Sequence, residues 1–274
     1  MRNLMRTSYS TIVYEIRDFG LGIYDTEGDL LAEAPGLAIF TRSNDYALKN
    51  AIEFVGRENI EPGDVILLNY PYWSSAHTLD VAAFAPIYHE DTLVGFTAAR
   101  IHWLDLKQKD AGYVLDSTDM HQEGIFFPCT KIVKRGELQQ DIVNIIKFNS
   151  RFADRTVGDM LAQVSACVTG ARRVEEIVNR HIIGDHPVSW LEMPLLQAQE
   201  IGVTAVFDEK YGDRVRVVSL TDFSKELCGG THVNRAGDIP SIRTQRAQTK
   251  VLIAETNATV QAQDGLGIED GRTT

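Results

Sequence analysis

The sequence predicts an α+β fold of mixed, mainly antiparallel sheets with helices, followed by a second, small α+β segment at the C-terminus. Three observations carry this prediction. Strand-like runs are joined by polar turns of hairpin type, at Thr26-Glu27-Gly28-Asp29 and His89-Glu90-Asp91-Thr92. Stretches with helical periodicity separate and follow these hairpins, the longest between Asp154 and Arg180. Near Val178 the texture changes, and a strand, a short helix and a Val-rich strand follow in close order.

Taken in order, Leu4, Met5, Ile12 and Val13 have a loosely helical spacing, and "IRDFGLGIYDTEGDLLAEA" reads as the first hairpin. "RSNDYALKNAIEFVGRENI" places apolar residues on one face of a helix, with Ser43 or Asn44 as its expected cap. "EPGDVILLNYPYW" is a Pro-Gly turn and a wholly apolar strand, expected to be buried on both faces. In the second hairpin, strands near 78–88 and 93–102 flank the turn. Pairing of residue 88 with 93 pairs residue 80 with 101, and so returns His102 to the end that holds His77 and Asp80. A loop, the short "HQEGIFFP", the strand-like "TKIVKRG" and helical patterns from Leu138 to Val178 come next, with Gly158 and Gly170 as weak points of the long helix. Beyond them, Pro194 starts a short helix, a Tyr-Gly-Asp turn precedes the Val-rich strand, and the last residues are expected to fray.

Composition excludes several classes. A net charge of -11 over 274 residues, acidic in both parts of the chain, lacks the basic excess of a domain that grips a phosphate backbone unaided. The cysteines, Cys129, Cys167 and Cys228, are odd in number and far apart, as expected of reduced thiols in a cytoplasmic protein. No apolar run approaches membrane-spanning length and no secretory leader is expected.

Asp18, His77, Asp80 and His102 are the first candidates for chemistry. Two imidazoles with one or two carboxylates suit a divalent ion such as Zn or Mn, and the hairpin brings three of the four to one place. The same residues would serve equally well to cap strand ends and turns. His121 and Glu123 of "HQEG" are candidate proton carriers beside such a metal, or a simple turn with Glu123 in solvent.

"RTSYSTIVYEIRDFGLGIYDTEGDLLAEAPG", "PGDVILLNYPYWSSAHTLDV", "LVGFTAARIHWLD", "HQEGIFFP" and "GDMLAQVSACVTGARRVEEIV" together resemble the N-terminal part of the hydantoinase B/oxoprolinase family. The resemblance implies a truncated metal-binding domain over residues 1–177, with Asp18, His77, Asp80 and His102 as ligands. It implies action on small cyclic amides of the hydantoin or 5-oxoproline type. ATP would be used only by a partner, a hydantoinase A-like subunit. Ser74-Ser75-Ala76 stands where the family usually has Gly-Gly-Thr, and Tyr70 where an aspartate is common.

A second resemblance begins near Val178. "EKYGDRVRVV" and "ELCGGTH" are similar to part of the editing domain of alanyl-tRNA synthetase, over residues 178–241, and leave an unassigned tail, 242–274. The resemblance implies that Cys228 and His232 are two zinc ligands of an incomplete site, because the His-x3-His partner helix has no counterpart upstream. His181 and His186 have the wrong spacing to replace it. The leading expectation is a metal-dependent amidohydrolase-type subunit. The alternatives are an aminoacyl-tRNA deacylase that would engage tRNA, and an inactive composite or assembly-only protein.

Overall fold

The computed structural model describes residues 1–89, 91–112, 114–203, 212–221, 224–230 and 232–238. Glu90 of the second turn, the start of "EKYGD", Thr231 and the tail 242–274 lie outside the described residues. The chain forms two compact units that divide between Arg173 and Val174.

The elements up to the division are α1 Arg2–Thr7, α2 Thr11–Tyr14, β1 Phe19–Tyr24, β2 Leu30–Glu33, α3 Ala38–Val55, β3 Val65–Leu68, α4 Pro71–Ser74, β4 Asp80–His89, β5 Thr92–His102, β6 Thr130–Lys134, β7 Glu137–Leu138, α5 Gln140–Phe148 and α6 Ala153–Ile183. The strands form a seven-stranded sheet in the order β2-β1-β5-β4-β3-β6-β7. Every neighbouring pair is antiparallel. Side chains alternate between the faces of a strand. Val65, Leu67, Val81, Ala83, Ala99 and Ile101 accordingly pack with residues of α1, α2, α5 and α6. Ile66, Leu68, Ala82, Phe84, Phe96 and Ala98 pack with Ala47, Leu48 and Ala51 of α3. The apolar run of β3 is buried on both faces, as its sequence predicts.

Three details differ from the sequence reading. The β4/β5 hairpin pairs Asp80 with His102 rather than with residue 101, because the register slips between Ile87↔Gly95 and Tyr88↔Leu93. Such a bulge puts an extra residue in one strand, and here it places Asp80 and His102 directly opposite one another. Next, α3 starts at Ala38 with no side-chain cap, and Asn44 lies buried within it. Its first turn is held instead by packing: Phe40 and Thr41 are buried, and Leu37 N donates to Phe19 O at 2.9 Å.

The glycines of α6 are contact points rather than weak points, since the helix runs unbroken through both. A Cβ on Gly158 would lie 2.4 Å from the Tyr9 ring, whereas one on Gly170 would lie 3.1 Å from Thr97 Cγ2. Alanine gains about 1 kcal/mol of helix propensity over glycine, but overpacking a close contact costs about 1–3 kcal/mol. Gly158→Ala is therefore expected to lower the urea midpoint and Gly170→Ala to change it little; a raised midpoint for Gly158→Ala would contradict the close Tyr9 contact.

In the second unit, β8 Val188–Pro194, α7 Leu195–Glu200, β9 Arg214–Leu220 and β10 Ser224–Leu227 are the regular elements after α6. The strands form an antiparallel sheet in the order β10-β9-β8, and Met193, Ala198, Val215, Val217 and Leu227 make its small core. Among the described residues no helix is long and apolar enough to cross a membrane.

Candidate metal centre

The centre lies where β1, β4 and β5 begin or end on adjacent strands. Asp80 opens β4, His102 closes β5, and Asp18 directly precedes β1, its carbonyl accepting from His102 N at 3.3 Å. His77 comes from the loop between α4 and β4, where Asp80 N donates to His77 O at 3.0 Å. That tight turn points both side chains of the His-x2-Asp motif to one place.

One carboxylate oxygen organises the group. Asp80 Oδ1 lies 3.0 Å from His102 Nδ1 and 3.1 Å from His77 Nε2. One ligand atom from each of His77, Asp80 and His102 falls within 4.8 Å of the others, the one such group of three or more among the described residues. Asp18 Oδ2 stands at the margin, 4.0 Å from His102 Nδ1. Asp80 and His102 are buried, while His77 remains partly open. Two nitrogen donors and a carboxylate oxygen within this span fit a Zn or Mn ion.

The electrostatics fit the same use. Burial would raise the Asp80 pKa, but hydrogen bonds from His102 and His77 outweigh it and hold the carboxyl below its ordinary 3.8. Burial would lower that of His77, yet its hydrogen bond to Asp80 and the charges of Asp80, Glu123 and Asp18 raise it above 6.5. For Asp18, burial dominates and raises it, against the pull of His102 and with a push from Asp80. The signs follow. The raised His77 stabilises the metal-free fold below 6.5 and loses this contribution as pH rises through its folded value. The lowered Asp80 contributes above 3.8 and loses it as pH falls. Since a metal competes with the His77 proton, apparent affinity for Zn or Mn is expected to rise from about pH 6 to about pH 8. Calorimetric titration across that range checks it; a flat profile would exclude His77 as a ligand.

Glu123 lies near enough for its charge to act on His77, and its Oε1 accepts from Ser117 Oγ at 2.7 Å. His121 is exposed, with its ring edge-on to Phe126 at 5.4 Å. In the second unit Cys228 is partly buried, and neither it nor His232 belongs to a three-residue ligand group among the described residues. His232 lines a cleft of about 450 Å³ with Trp190, Arg216, Gly229 and Gly230, and burial lowers its pKa, helped by the charge of Arg216. His181 and His186 stand with ring centroids 6.1 Å apart. The residue that sequence reasoning missed is Arg100, wholly buried on the face of β5 that carries His102. Its only signal was a basic residue within an otherwise apolar run, two positions before a candidate ligand.

Comparison with known proteins places both units. Residues 215–255 match the threonyl and alanyl tRNA synthetase second additional domain, past the boundary expected at 241. In that part the chain is 56% identical over 68 residues to the alanine–tRNA ligase of Nitrosococcus oceani, covering 25% of this chain and 8% of the ligase. Elsewhere it is 31% identical to the 5-oxoprolinase of Dictyostelium discoideum, covering 65% of this chain and 14% of that protein. It is 29% identical to caprolactamase subunit beta of Pseudomonas jessenii, covering 65% and 31%. The crystal structure of the ATP-dependent caprolactamase from that organism shares the fold, with a TM-score of 0.59 at 24% identity over 79% of this chain and 41% of that one. The chain spans about a third of the length of the first curated relatives it matches. Residues 1–186 match the family model of hydantoinase B/oxoprolinase, and the chain belongs to that family.

Proposed function

We propose that the protein is a metal-dependent subunit for hydrolysis of small cyclic amides, of the hydantoin or 5-oxoproline type, and that His77, Asp80 and His102 hold the ion with Asp18 beside them. The convergence of these side chains on one point carries the reading. A Zn or Mn ion, when bound, supplies Lewis acidity toward an amide carbonyl or lowers the pKa of a water. The protein's own groups do the rest. Asp80 spans the two imidazoles and fixes their ring orientation. His77, the partly open member, marks the side from which substrate arrives. Glu123 is the group placed to take up or return a proton there. Family membership and the ATP-dependent caprolactamase of similar fold support a nucleotide-using partner subunit, with ATP bound by that partner alone. A cytoplasmic location is consistent with free Cys129, Cys167 and Cys228.

The test is ring opening of hydantoin, 5-oxoproline and caprolactam by the metal-loaded protein, alone and with a hydantoinase A-like subunit plus ATP. Turnover that vanishes on chelation and returns with Zn or Mn is expected; chelator-insensitive turnover would remove the metal from the reaction. Deacylation of mischarged tRNA is the second reading, favoured by the similarity of residues 215–255 to a tRNA synthetase domain. It requires Cys228 and His232, which leave a tetrahedral zinc site two ligands short. If neither activity is found and no metal binds, the assembly-only reading is the one left.

A further inference from the structure

We propose that Arg100 is the positioning residue of the metal centre, fixing the loop that delivers His77 through its grip on the Ser74 carbonyl. The inference rests on the metal-centre reading and extends it to a residue outside the ligand set.

Arg100 sits in β5 opposite Ala82 on one side and Gly20 on the other, small neighbours that leave room for a long side chain over the sheet. Its guanidinium lies 6.0 Å from the centroid of the Phe40 ring. Nε donates to Asn44 Oδ1 of α3 at 2.8 Å, and Nη1 donates to Ser74 O at 2.8 Å. Ser74 is the last residue of α4. Ser75 then takes a left-handed conformation at φ 55°, and the chain reaches His77 two residues later. Asn50 Nδ2 of α3 also donates to Trp73 O, at 3.3 Å. The end of α4 is therefore pinned from the helix and from the sheet strand that carries His102. A rigid planar fork joins two acceptors on different elements, which a lysine ammonium on a flexible stem does not reproduce.

The energetics point the same way. Arg100 and Asn44 are fully buried, and Arg100 Nη2 and Asn44 Nδ2 find no hydrogen-bond partner among the described residues. Burial pulls the guanidinium pKa down to about 10, against the opposing charge of Asp80. A buried charge satisfied only in part is a poor source of stability. The effect of this side chain is to be sought in the geometry of what it holds.

The experiment uses the full chain with cobalt(II) as a spectroscopic probe, and Zn competition for affinity. Arg100→Lys is expected to weaken binding about 10- to 100-fold, the usual range for a residue that supports a ligand from outside the set. Its cobalt spectrum should approach that of His77→Ala, and the double variant should lose nothing further, because both changes remove the same ligand. Asn44→Ala, which frees the fork while leaving its charge, should produce a weaker change of the same kind and serves if Arg100→Lys does not fold. Additive losses, or a wild-type cobalt spectrum in Arg100→Lys, would overturn the proposal. If the wild-type chain binds no cobalt or zinc, the metal reading falls by itself. The imidazole nitrogen resonances of His77 then decide the matter: displaced in Arg100→Lys they uphold the positioning role, and unchanged they refute it.

Discussion

His102→Ala is expected to abolish metal binding, taking the purified protein from about one equivalent of Zn or Mn to background, while Cys228→Ala keeps the wild-type content. The asymmetry follows from the two environments. His102 is 1% exposed and lies 3.0 Å from Asp80 Oδ1, on the strand end facing Asp18. Its loss leaves one imidazole and carboxylates, too few nitrogen donors to hold Zn firmly against water. Cys228 belongs to no ligand group of three among the described residues. Because deleting a buried ring also destabilises a fold by roughly 1–3 kcal/mol, His102→Gln belongs beside it: the amide keeps a hydrogen bond to Asp80 but is a poor ligand. Metal analysis alongside circular dichroism separates the effects. A folded His102→Gln protein with full metal would sink the proposed site, and metal lost only in Cys228→Ala would move the chemistry to the second unit.

Much of this site is legible in the sequence, and for a definable reason. The His-x2-Asp motif and His102 sit at the ends of one hairpin, and hairpin pairing is local: a polar turn and alternating strands bring the ends together. What the sequence does not reveal is the slip at Ile87/Tyr88, which turns a near alignment of Asp80 and His102 into a direct one. A bulge depends on how both strands twist against their neighbours. The start of α3 is hidden because its first turn is held by Phe40 and Thr41 packed against the sheet, with no capping side chain to read. Arg100 escapes notice for a related cause: its partners, Asn44 and Ser74, lie far away in sequence and meet it only in the folded unit. The glycines of α6 mislead because propensity treats each as a local defect, whereas Tyr9 fills the space above Gly158.

The largest expected loss of stability outside the centre is at Gln163. Its amide is fully buried in α6, where Oε1 accepts from Trp103 Nε1 at 2.8 Å and Nε2 donates to Val81 O at 2.8 Å and to Ala99 O at 2.7 Å. One side chain thus ties the long helix to both strands of the site hairpin, close to the ends that carry Asp80 and His102. Gln163→Leu keeps the volume and removes all three bonds. Each buried group left unsatisfied costs about 1–3 kcal/mol, so a loss of roughly 3 kcal/mol in urea unfolding is expected, led by the stranded indole N–H. Gln163→Glu is the sharper variant. Near neutral pH its carboxylate would face two carbonyl oxygens, and the fold should be weaker than with leucine. Burial raises a carboxyl pKa, so the neutral acid is favoured in the folded state and stability should recover as pH falls through that raised value. If Gln163→Glu is as stable as wild type at neutral pH, the amide is not the clasp these distances describe. If it weakens and recovers with acid, the ends of β4 and β5 owe their fixed spacing to a helix far from the metal ligands in sequence.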